Sequence, residues 1–495
     1  MKRALQLLSI MKKKSIFIIA LASISLFSCK DFLDVKPTNS IDSGETITTV
    51  ADAKVMTNGL LRSLVTTSYY GRNFMIYGDA KGGDATIVSQ GRGLDALYVF
   101  NHSVTNNNYS GFWADGYNAI LQANNIIQSI DDLVANGSTL DFNTYKGQAL
   151  TLRALVHFDL VRLYGKTYTD DPASFGVPIV TEKLKHDARL LRNSVTDVYK
   201  QILEDLKDAE ALLPKTKTNG YVNYYANKAI QARVYLTMGD FTNAFAAAEE
   251  VINSKVYSLY SNSEWVSSWA AQFGKESIFE IAIAKDQGDL GSGSLGFYYL
   301  KSKQNNALGN FTASDYYVNR LGEDADDVRW GVITEDELER KAAVYKYVGG
   351  ISQPFKGDGK DVFTAVNIKV IRLSEIYLIA AEAALKKAGP DAAKAATYLN
   401  EIRKRSPNLV AATAATVTED MILNEKSKEL YGEGQRYWDM IRNNKTITFN
   451  DEHVGVSLQH RQKTINRSFY KTILPIPQVE IDANPELEKQ QNSGY

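Results

Sequence analysis

LRALVHFDLVRLYG, residues 152–165, is the stretch that decides the fold of this chain. Its apolar side chains recur at helical spacing, and a glycine follows the last of them, as expected at a helix end. Two further stretches have the same character, AIQARVYLTMGDFTNAFAAAEEVI (229–252) and RLSEIYLIAAEAALKKAGPDAAKAATYLNEIR (372–403). Each of these two turns at a glycine into a second alanine-rich helix. The sequence therefore predicts a mainly α-helical protein of degenerate tetratricopeptide-like helix pairs, although unrelated amphipathic helices remain the alternative.

The segment between the second and third stretches lacks this periodicity. Residues 254–367 contain the glycine-rich QGDLGSGSLGFYYL and the turn-rich GGISQPFKGDGKD. Such sequences are typical of turns and short strands. We therefore predict a loop-rich, partly β insertion that forms a ligand face. It would interrupt a helical scaffold of residues 41–253 and 368–495, all within a single domain over 41–495.

The N-terminus has the features of a bacterial lipoprotein signal. Lysines 12–14 precede an apolar segment over residues 16–27, which is shorter than the roughly 20 residues that a bilayer-spanning helix needs. The chain's only cysteine, Cys29, comes directly after this segment and a serine. We predict that residues 1–28 are a signal peptide, that Cys29 is lipidated, and that residues 29–40 tether the domain. An ordinary secretory signal with a chance cysteine is the alternative.

Composition and motifs argue against several classes of function. The chain has 56 basic and 57 acidic residues, and the predicted signal peptide removes only basic ones, so the charge does not favour nucleic acid. The histidines form no HExxH or H-x-H pattern, and neither a Walker A nor a GxSxG motif occurs. The carboxylate pairs Asp326/Asp327 and Glu433/Asp439 are interpreted as solvated surface. We therefore predict a binding protein with no enzymatic activity, cofactor or metal.

A series of longer motifs follows in one order along the chain. They are DFLDVKPT (31–38), WADGYNAILQANNII (113–127), ALTLRALVHFDLVRLYG (149–165), GVPIV (176–180), Asp327-Val328-Arg329, VIRLSEIYLIAAEA (370–383), LNEIRKR (399–405), ELYGEGQRYWDMIR (429–442) and LPIPQVEIDANPELEKQQNSGY (474–495). Together they resemble the SusD/RagB family of outer-membrane nutrient-binding lipoproteins from Bacteroidetes. The resemblance covers essentially all of the chain after Cys29. Lys426 departs from it, because arginine is more usual at that position.

The resemblance implies both a fold and a role. The fold would be SusD-like, with tetratricopeptide-like helix pairs beneath a variable ligand face. The protein would be lipid-anchored in the outer membrane and exposed at the cell surface. It would bind oligo- or polysaccharide nutrients and deliver them to a SusC-like TonB-dependent transporter. Peptide capture, as in RagB-type members, is the main alternative, and a lipid-anchored glycosidase and a gating scaffold are two others.

Ligand contacts are predicted in the irregular regions 67–113 and 290–330, because sugar rings stack on aromatic faces and sugar hydroxyls need polar partners. The candidates are Tyr77, Asp79, Arg92, Tyr98, Asn106, Asn108, Tyr109, Tyr298, Tyr299 and Trp330. Each aromatic candidate has an alternative role as an anchor that packs its own loop. Arg372, Glu375 and Glu382, which we place on one helix, are instead predicted to form buried ion pairs with other helices.

Overall fold

The computed structural model describes a large part of the chain after the predicted tether. The described residues are 47–88, 95–105, 110–185, 187–285, 290–302, 306–336, 339–340, 342–348, 351–352, 355–356, 365–451 and 461–495. The predicted signal peptide, Cys29 and the tether lie outside these ranges, as do Arg92, Asn106, Asn108 and Tyr109. Within the ranges, no helix combines the length and hydrophobicity that crossing a bilayer requires.

The fold is mainly α-helical, as the sequence predicts. The helices of the described residues are α1 (Val50–Ser63), α2 (Asn73–Lys81), α3 (Asp95–Tyr98), α4 (Ser110–Ala135), α5 (Asn143–Tyr164), α6 (Val195–Glu210), α7 (Tyr224–Met238), α8 (Phe241–Asn253), α9 (Asn262–Ser268), α10 (Leu295–Tyr299), α11 (Asp315–Leu321), α12 (Leu373–Lys386), α13 (Ala392–Arg403), α14 (Glu419–Leu430), α15 (Arg436–Arg442) and α16 (Gln478–Ala483). The stretch over residues 152–165 lies in α5, which is buried along most of its length.

The long helices pack as neighbouring pairs. Helix α4 packs on α5, α5 on α6, α7 on α8, and α12 on α13. Helix α8 also packs on α12, so the helices before and after the insertion share one core. Gly239 joins α7 to α8 with a φ of 78°, a left-handed conformation that glycine adopts without a Cβ penalty. The predicted helix pairs around the Gly239 turn and over residues 372–403 are therefore confirmed.

The strands are short and pair in twos. They are β1 (Ala85–Ile87), β2 (Ser277–Ile281), β3 (Lys301–Ser302), β4 (Ala307–Leu308), β5 (Phe311–Ala313), β6 (Ile333–Thr334), β7 (Ala343–Val344), β8 (Ile351–Ser352), β9 (Phe355–Lys356), β10 (Ile368–Arg372), β11 (Ile447–Thr448) and β12 (Thr464–Ile465). The pairs are β1–β5, β2–β10, β3–β4, β6–β7, β8–β9 and β11–β12, all antiparallel. Two of them organise the irregular regions: β2–β10 brings together residues near the two ends of the predicted insertion, and β1–β5 joins the insertion to residues 85–87.

Arg372 is the centre of a buried ion cluster, as predicted, although it ends strand β10 and is not part of the helix. Its guanidinium lies 3.0 Å from carboxylates of both Glu276 and Glu429 and 2.8 Å from Glu433. All four side chains are buried. Because removing one partner of a buried pair leaves an uncompensated charge, this cluster links β10 rigidly to α14 and the turn that follows it.

The other predicted ion pairs also form. Glu375 pairs with Arg233 at 2.7 Å, which connects α12 to α7. Glu382 pairs with Arg442 at 2.5 Å, which connects α12 to α15. The amine of Lys426, the residue that departs from the family pattern, lies 3.8 Å from Glu382. The charged positions of the resemblance motifs therefore hold helices together in the interior.

The C-terminal segment is fixed to the end of α5. The side-chain amide of Asn492 donates to the backbone carbonyls of Tyr164 and Leu474, each at 2.7 Å. Arg192 donates to the same Tyr164 carbonyl at 2.8 Å and to the Gln490 carbonyl at 2.5 Å. We call this arrangement of Arg192, Tyr164, Leu474, Gln490 and Asn492 the C-terminal clasp. It fixes the backbone along one side of the cleft described below.

Candidate functional site

Two of the predicted ligand residues meet in the interior of the protein. The Tyr299 hydroxyl, on α10, donates to a carboxylate oxygen of Asp79, on α2, at 2.8 Å. Both residues are fully buried. Burial is the largest influence on the pKa of Asp79 and raises it well above the usual range, although the Tyr299 hydrogen bond opposes the shift. The irregular regions do come together here, but inside the protein.

The other predicted tyrosines are also covered. The Tyr77 ring packs 5.7 Å from Phe112 and 5.9 Å from Trp438. The Tyr98 hydroxyl donates to the Asn450 carbonyl at 2.6 Å.

Tyr298 lies under the guanidinium of Arg72, 4.7 Å from the ring centre, and is only 4% exposed. The structure therefore corrects the predicted stacking platform for Tyr77, Tyr98, Tyr298 and Tyr299, and buried Asp79 does not contribute to it. A sugar cannot stack on rings that protein atoms already cover, and the large apolar area of tyrosine favours burial.

Trp330 differs from these residues because it keeps part of its surface exposed. Its indole N–H donates to the Asp324 carbonyl at 3.3 Å. The turn that carries it is fixed from below by Arg329, which pairs at 2.7 Å with both Asp327 and Glu425. Trp330 thus lies on a rigid support at the surface of the insertion, which is the arrangement that a stacking residue needs.

The carboxylates of the acidic pairs are mostly buried, which corrects the prediction of solvated surface for Asp327, Glu433 and Asp439. Asp439 lies 2.7 Å from the Lys426 amine. Burial acts to raise the pKa of Asp439, but Lys426 and Arg442 more than offset that effect and lower it to about 2. These carboxylates neutralise buried cations, so they are structural groups.

A cleft of about 400 Å³ opens on another part of the surface. We call it the aromatic cleft and define it by Phe175, Tyr437, Trp438, Phe469 and Tyr470, which line it. The side chains of Phe175 and Tyr470 are 44% and 45% exposed, whereas Tyr437 and Trp438 are buried. The cleft therefore offers aromatic surface both at its mouth and at its base.

Polar groups surround these aromatic side chains. Ser468 and Ser493 line the cleft and are exposed. Three other lining side chains each hold a buried polar atom that has no hydrogen-bond partner among the described residues: the Oγ1 of Thr167, the indole Nε1 of Trp438 and the guanidinium Nε of Arg162. Because an unmade buried hydrogen bond costs about 1–3 kcal/mol, these atoms need an explanation.

A second cleft, of about 410 Å³, lies between α4, the loop that follows residue 178, and α16. Trp113, Tyr117 and Leu487 contribute to its walls. The Tyr117 hydroxyl is already used, since it donates to the Pro178 carbonyl at 2.9 Å. Glu480 also lines this cleft, and burial raises its pKa above the usual range.

Neither cleft was predicted from the sequence. The aromatic cleft is assembled from the end of α5, the loop at residue 175, α15 and residues 467–473, which are far apart in the chain. The available signal was the adjacent aromatic pair Phe469-Tyr470 in a segment without helical periodicity. No group of three or more histidine, cysteine, aspartate or glutamate side chains in the described part of the chain is arranged to hold a metal ion.

In the part of the chain that the structure describes, helix pairs around one core, an irregular insertion and two ligand-sized clefts define a tetratricopeptide-like α-helical protein with surface clefts. The chain belongs to the SusD family, whose model matches residues 105–495.

Comparison with individual proteins agrees with this assignment. The chain is 26% identical to SusD-like protein P2 of Formosa agariphila, over 98% of this chain and 100% of that protein. It is 24% identical to the starch-binding protein SusD of Bacteroides thetaiotaomicron, over 70% of this chain and 71% of that protein. A solved SusD superfamily protein from Bacteroides thetaiotaomicron superposes with a TM-score of 0.80 at 33% identity, covering 90% of this chain and 100% of that one.

Proposed function

We propose that this protein is a cell-surface lipoprotein that binds oligo- or polysaccharides and delivers them to a SusC-like TonB-dependent transporter in the outer membrane. The observation that carries the proposal is the match to the SusD family over residues 105–495. A relative that aligns over 70% of this chain is named as a starch-binding protein. The role is binding without catalysis, and Cys29 carries the lipid anchor.

The proposed primary ligand face lies on the insertion side of the molecule. Trp330 supplies a partly exposed aromatic surface there, on the support that Arg329 provides. Arg92, Asn106, Asn108 and Tyr109, which lie outside the described residues, remain proposed polar and stacking partners. A planar aromatic face with polar side chains around it matches the alternating C–H and hydroxyl surfaces of a sugar ring.

A binding screen tests the ligand class. The whole chain, purified in detergent micelles, would be titrated calorimetrically with starch, β-glucan, mannan and host-type oligosaccharides, and with mixed peptides. We expect a saccharide to bind and Trp330→Ala to weaken that binding by about threefold to tenfold, the value of one aromatic contact. Tyr377→Ala, which removes a partly exposed aromatic ring on α12, outside both predicted ligand regions, is the matched control. Binding of peptides alone would replace the glycan proposal with peptide capture.

A separate experiment tests the transporter partnership. The protein would be isolated under mild detergent from its own outer membrane through an affinity tag. We expect a TonB-dependent transporter to co-purify in stoichiometric amount. A preparation with all of the lipoprotein and no transporter at any salt concentration would refute the delivery role while leaving glycan binding intact.

A further inference from the structure

The aromatic cleft is separate from the proposed primary ligand face. Its walls come from the end of α5, the loop at residue 175, α15 and residues 467–473, and none of its lining residues belongs to regions 67–113 or 290–330. A volume of about 400 Å³ lies near the lower end of the range for small-molecule sites, which is enough for one or two sugar rings.

The mouth of the cleft presents aromatic surface to solvent. The phenyl ring of Phe175 and the phenol of Tyr470 are 44% and 45% exposed, although both side chains are large and mainly apolar. Phe469 lies next to Tyr470, with the two ring centres 5.4 Å apart in an edge-to-face arrangement. Exposed aromatic surface on a concave patch is typical of a ligand site, because burying it on binding is favourable.

The charges of the cleft favour a neutral ligand over an ionic one. Each charged lining side chain already has an opposite partner within 3.2 Å. These pairs are Arg162–Asp159, Lys166–Asp171, Arg442–Glu382 and Arg467–Asp170. A charged ligand would have to compete with these pairs, so a neutral ligand fits better.

The unpartnered polar atoms argue against a purely apolar ligand. The Trp438 side chain is nine-tenths buried, and its indole N–H has no acceptor among the described residues. The hydroxyl of Thr167, another lining residue, also lacks a partner there. A ligand with hydroxyl groups would remove the cost of these unmade hydrogen bonds, whereas a hydrocarbon would not.

We propose that the aromatic cleft is a second saccharide site, which binds a neutral unit of about one or two sugar rings. The ring stacks on Phe175 and Tyr470 at the mouth, and sugar hydroxyls bond to Thr167 and Trp438. The inference rests on the proposed glycan-binding function and adds a second point of attachment to it. A long glycan held at both sites would dissociate more slowly than one held at a single site.

Fluorine NMR of the whole chain in detergent micelles, with 5-fluorotryptophan in place of tryptophan, reads both sites in one experiment. Trp438 reports on the cleft and Trp330 on the primary face, and single Trp→Phe variants assign the two signals. The probes are maltose, cellobiose, laminaribiose and trialanine. We expect the Trp438 signal to move with at least one of the disaccharides and not with trialanine.

Two variants test the contacts. Phe175→Ala and Thr167→Val should each raise the disaccharide concentration that half-shifts the Trp438 signal by about threefold to tenfold. Thr167→Val removes no hydrogen bond within the described residues, so its unfolding midpoint should not fall below that of the parent. Tyr377→Ala is the matched control and should leave the Trp438 titration unchanged.

The outcomes separate the two proposals. Movement of Trp330 without Trp438 would overturn the second site and support the proposed function. A Trp438 response to trialanine alone would overturn the saccharide assignment of the cleft. If no saccharide, including the polysaccharides of the binding screen, moves either signal or binds in calorimetry, both proposals fail.

Discussion

His157 is a residue of α5, and its imidazole has no exposed surface. When neutral, the ring carries one N–H proton, on either Nδ1 or Nε2. Its Nε2 accepts from the Val180 N–H at 3.3 Å, so Nδ1 carries the proton and donates to the Arg153 carbonyl at 3.0 Å. Burial, with a further contribution from the charge of Arg153, lowers the pKa of His157 to about 3. The folded protein therefore keeps this side chain neutral at pH values where the unfolded chain binds a proton.

We expect this difference to make stability fall as the pH drops below about 6.5, the ordinary histidine pKa. Between pH 8 and pH 5, His157 alone should lower the free energy of unfolding by about 2 kcal/mol. Urea unfolding of the parent and of His157→Gln at both pH values measures it, because the amide does not titrate. The parent should lose about 2 kcal/mol more than the variant between pH 8 and pH 5.

His102 is also buried, and burial is the main cause that lowers its pKa, so it adds to the pH dependence of both proteins and cancels in the comparison. Equal losses in parent and variant would show that the His157 environment is wrongly assigned.

A second prediction concerns Arg329, whose side chain is fully buried between Asp327 and Glu425. Arg329→Met should lower the free energy of unfolding by about 3–5 kcal/mol, because Asp327 then stays buried without its cation. Among the described residues, Glu425 then keeps only the pairs with Lys428 and Arg403.

Lys489→Met is the matched control, since Lys489 pairs with Glu486 on the surface at 73% and 62% exposure. The control should change stability by no more than about 0.5 kcal/mol. Similar losses in the two variants would contradict this account of the buried pair.

At the scale of elements, replacing each of two glycines by alanine should change the stability in opposite directions. Gly239 turns α7 into α8 at a φ of 78°, whereas Gly59 lies within α1 on an exposed face. Gly239→Ala should lower the free energy of unfolding by about 1–2 kcal/mol, because a Cβ disfavours the left-handed region. Gly59→Ala should raise the free energy of unfolding by about 0.5–1 kcal/mol, because alanine favours a helix. The new Cβ would meet no clash, since its nearest neighbour, Gln122, would lie 3.9 Å away. Thermal unfolding of both variants beside the parent measures the two signs, and shifts of the same sign would contradict the assignment.

The elements that periodicity describes were the predictable part of this molecule. Helices were predictable because they depend on the spacing of apolar residues that are close in the chain, as in residues 152–165, and on the turns at Gly239 and Gly389. Both features can be seen directly in the sequence. Ion pairs at Glu375 and Glu382 were also predictable, because charged residues within an apolar helix need partners.

The candidate site was less predictable, for a physical reason. The same tyrosine side chain suits an exposed platform and a hydrogen-bonded interior, and Tyr299 finds its partner in Asp79, 220 residues away. Sequence spacing carries no information on such a contact. The aromatic cleft escaped prediction in the same way, since Phe175 and Tyr470 become neighbours of one cavity only after the C-terminal segment has packed on α5.

At the scale of the whole molecule, the predicted anchor gives a direct test. Cys29→Ser should abolish incorporation of labelled palmitate and shift the protein from the outer-membrane fraction to the soluble fraction, because the lipid supplies the attachment to the membrane. Cys29 is the chain's only cysteine, so the substitution disturbs no disulfide. Ser28→Ala keeps a small residue before Cys29 and serves as the control. Membrane retention of the serine variant would show that attachment comes from another part of the protein.

The C-terminal clasp has a consequence for the timing of assembly. The carbonyls of Tyr164 and Leu474 receive the Asn492 amide, and Tyr164 lies 328 residues earlier in the chain. Until residue 492 has been synthesised, a nascent polypeptide therefore cannot complete this part of the structure. For the exported lipoprotein that we propose, such a delay would favour translocation, which requires an open chain. The clasp would thus close this part of the structure only after residue 492 has been synthesised.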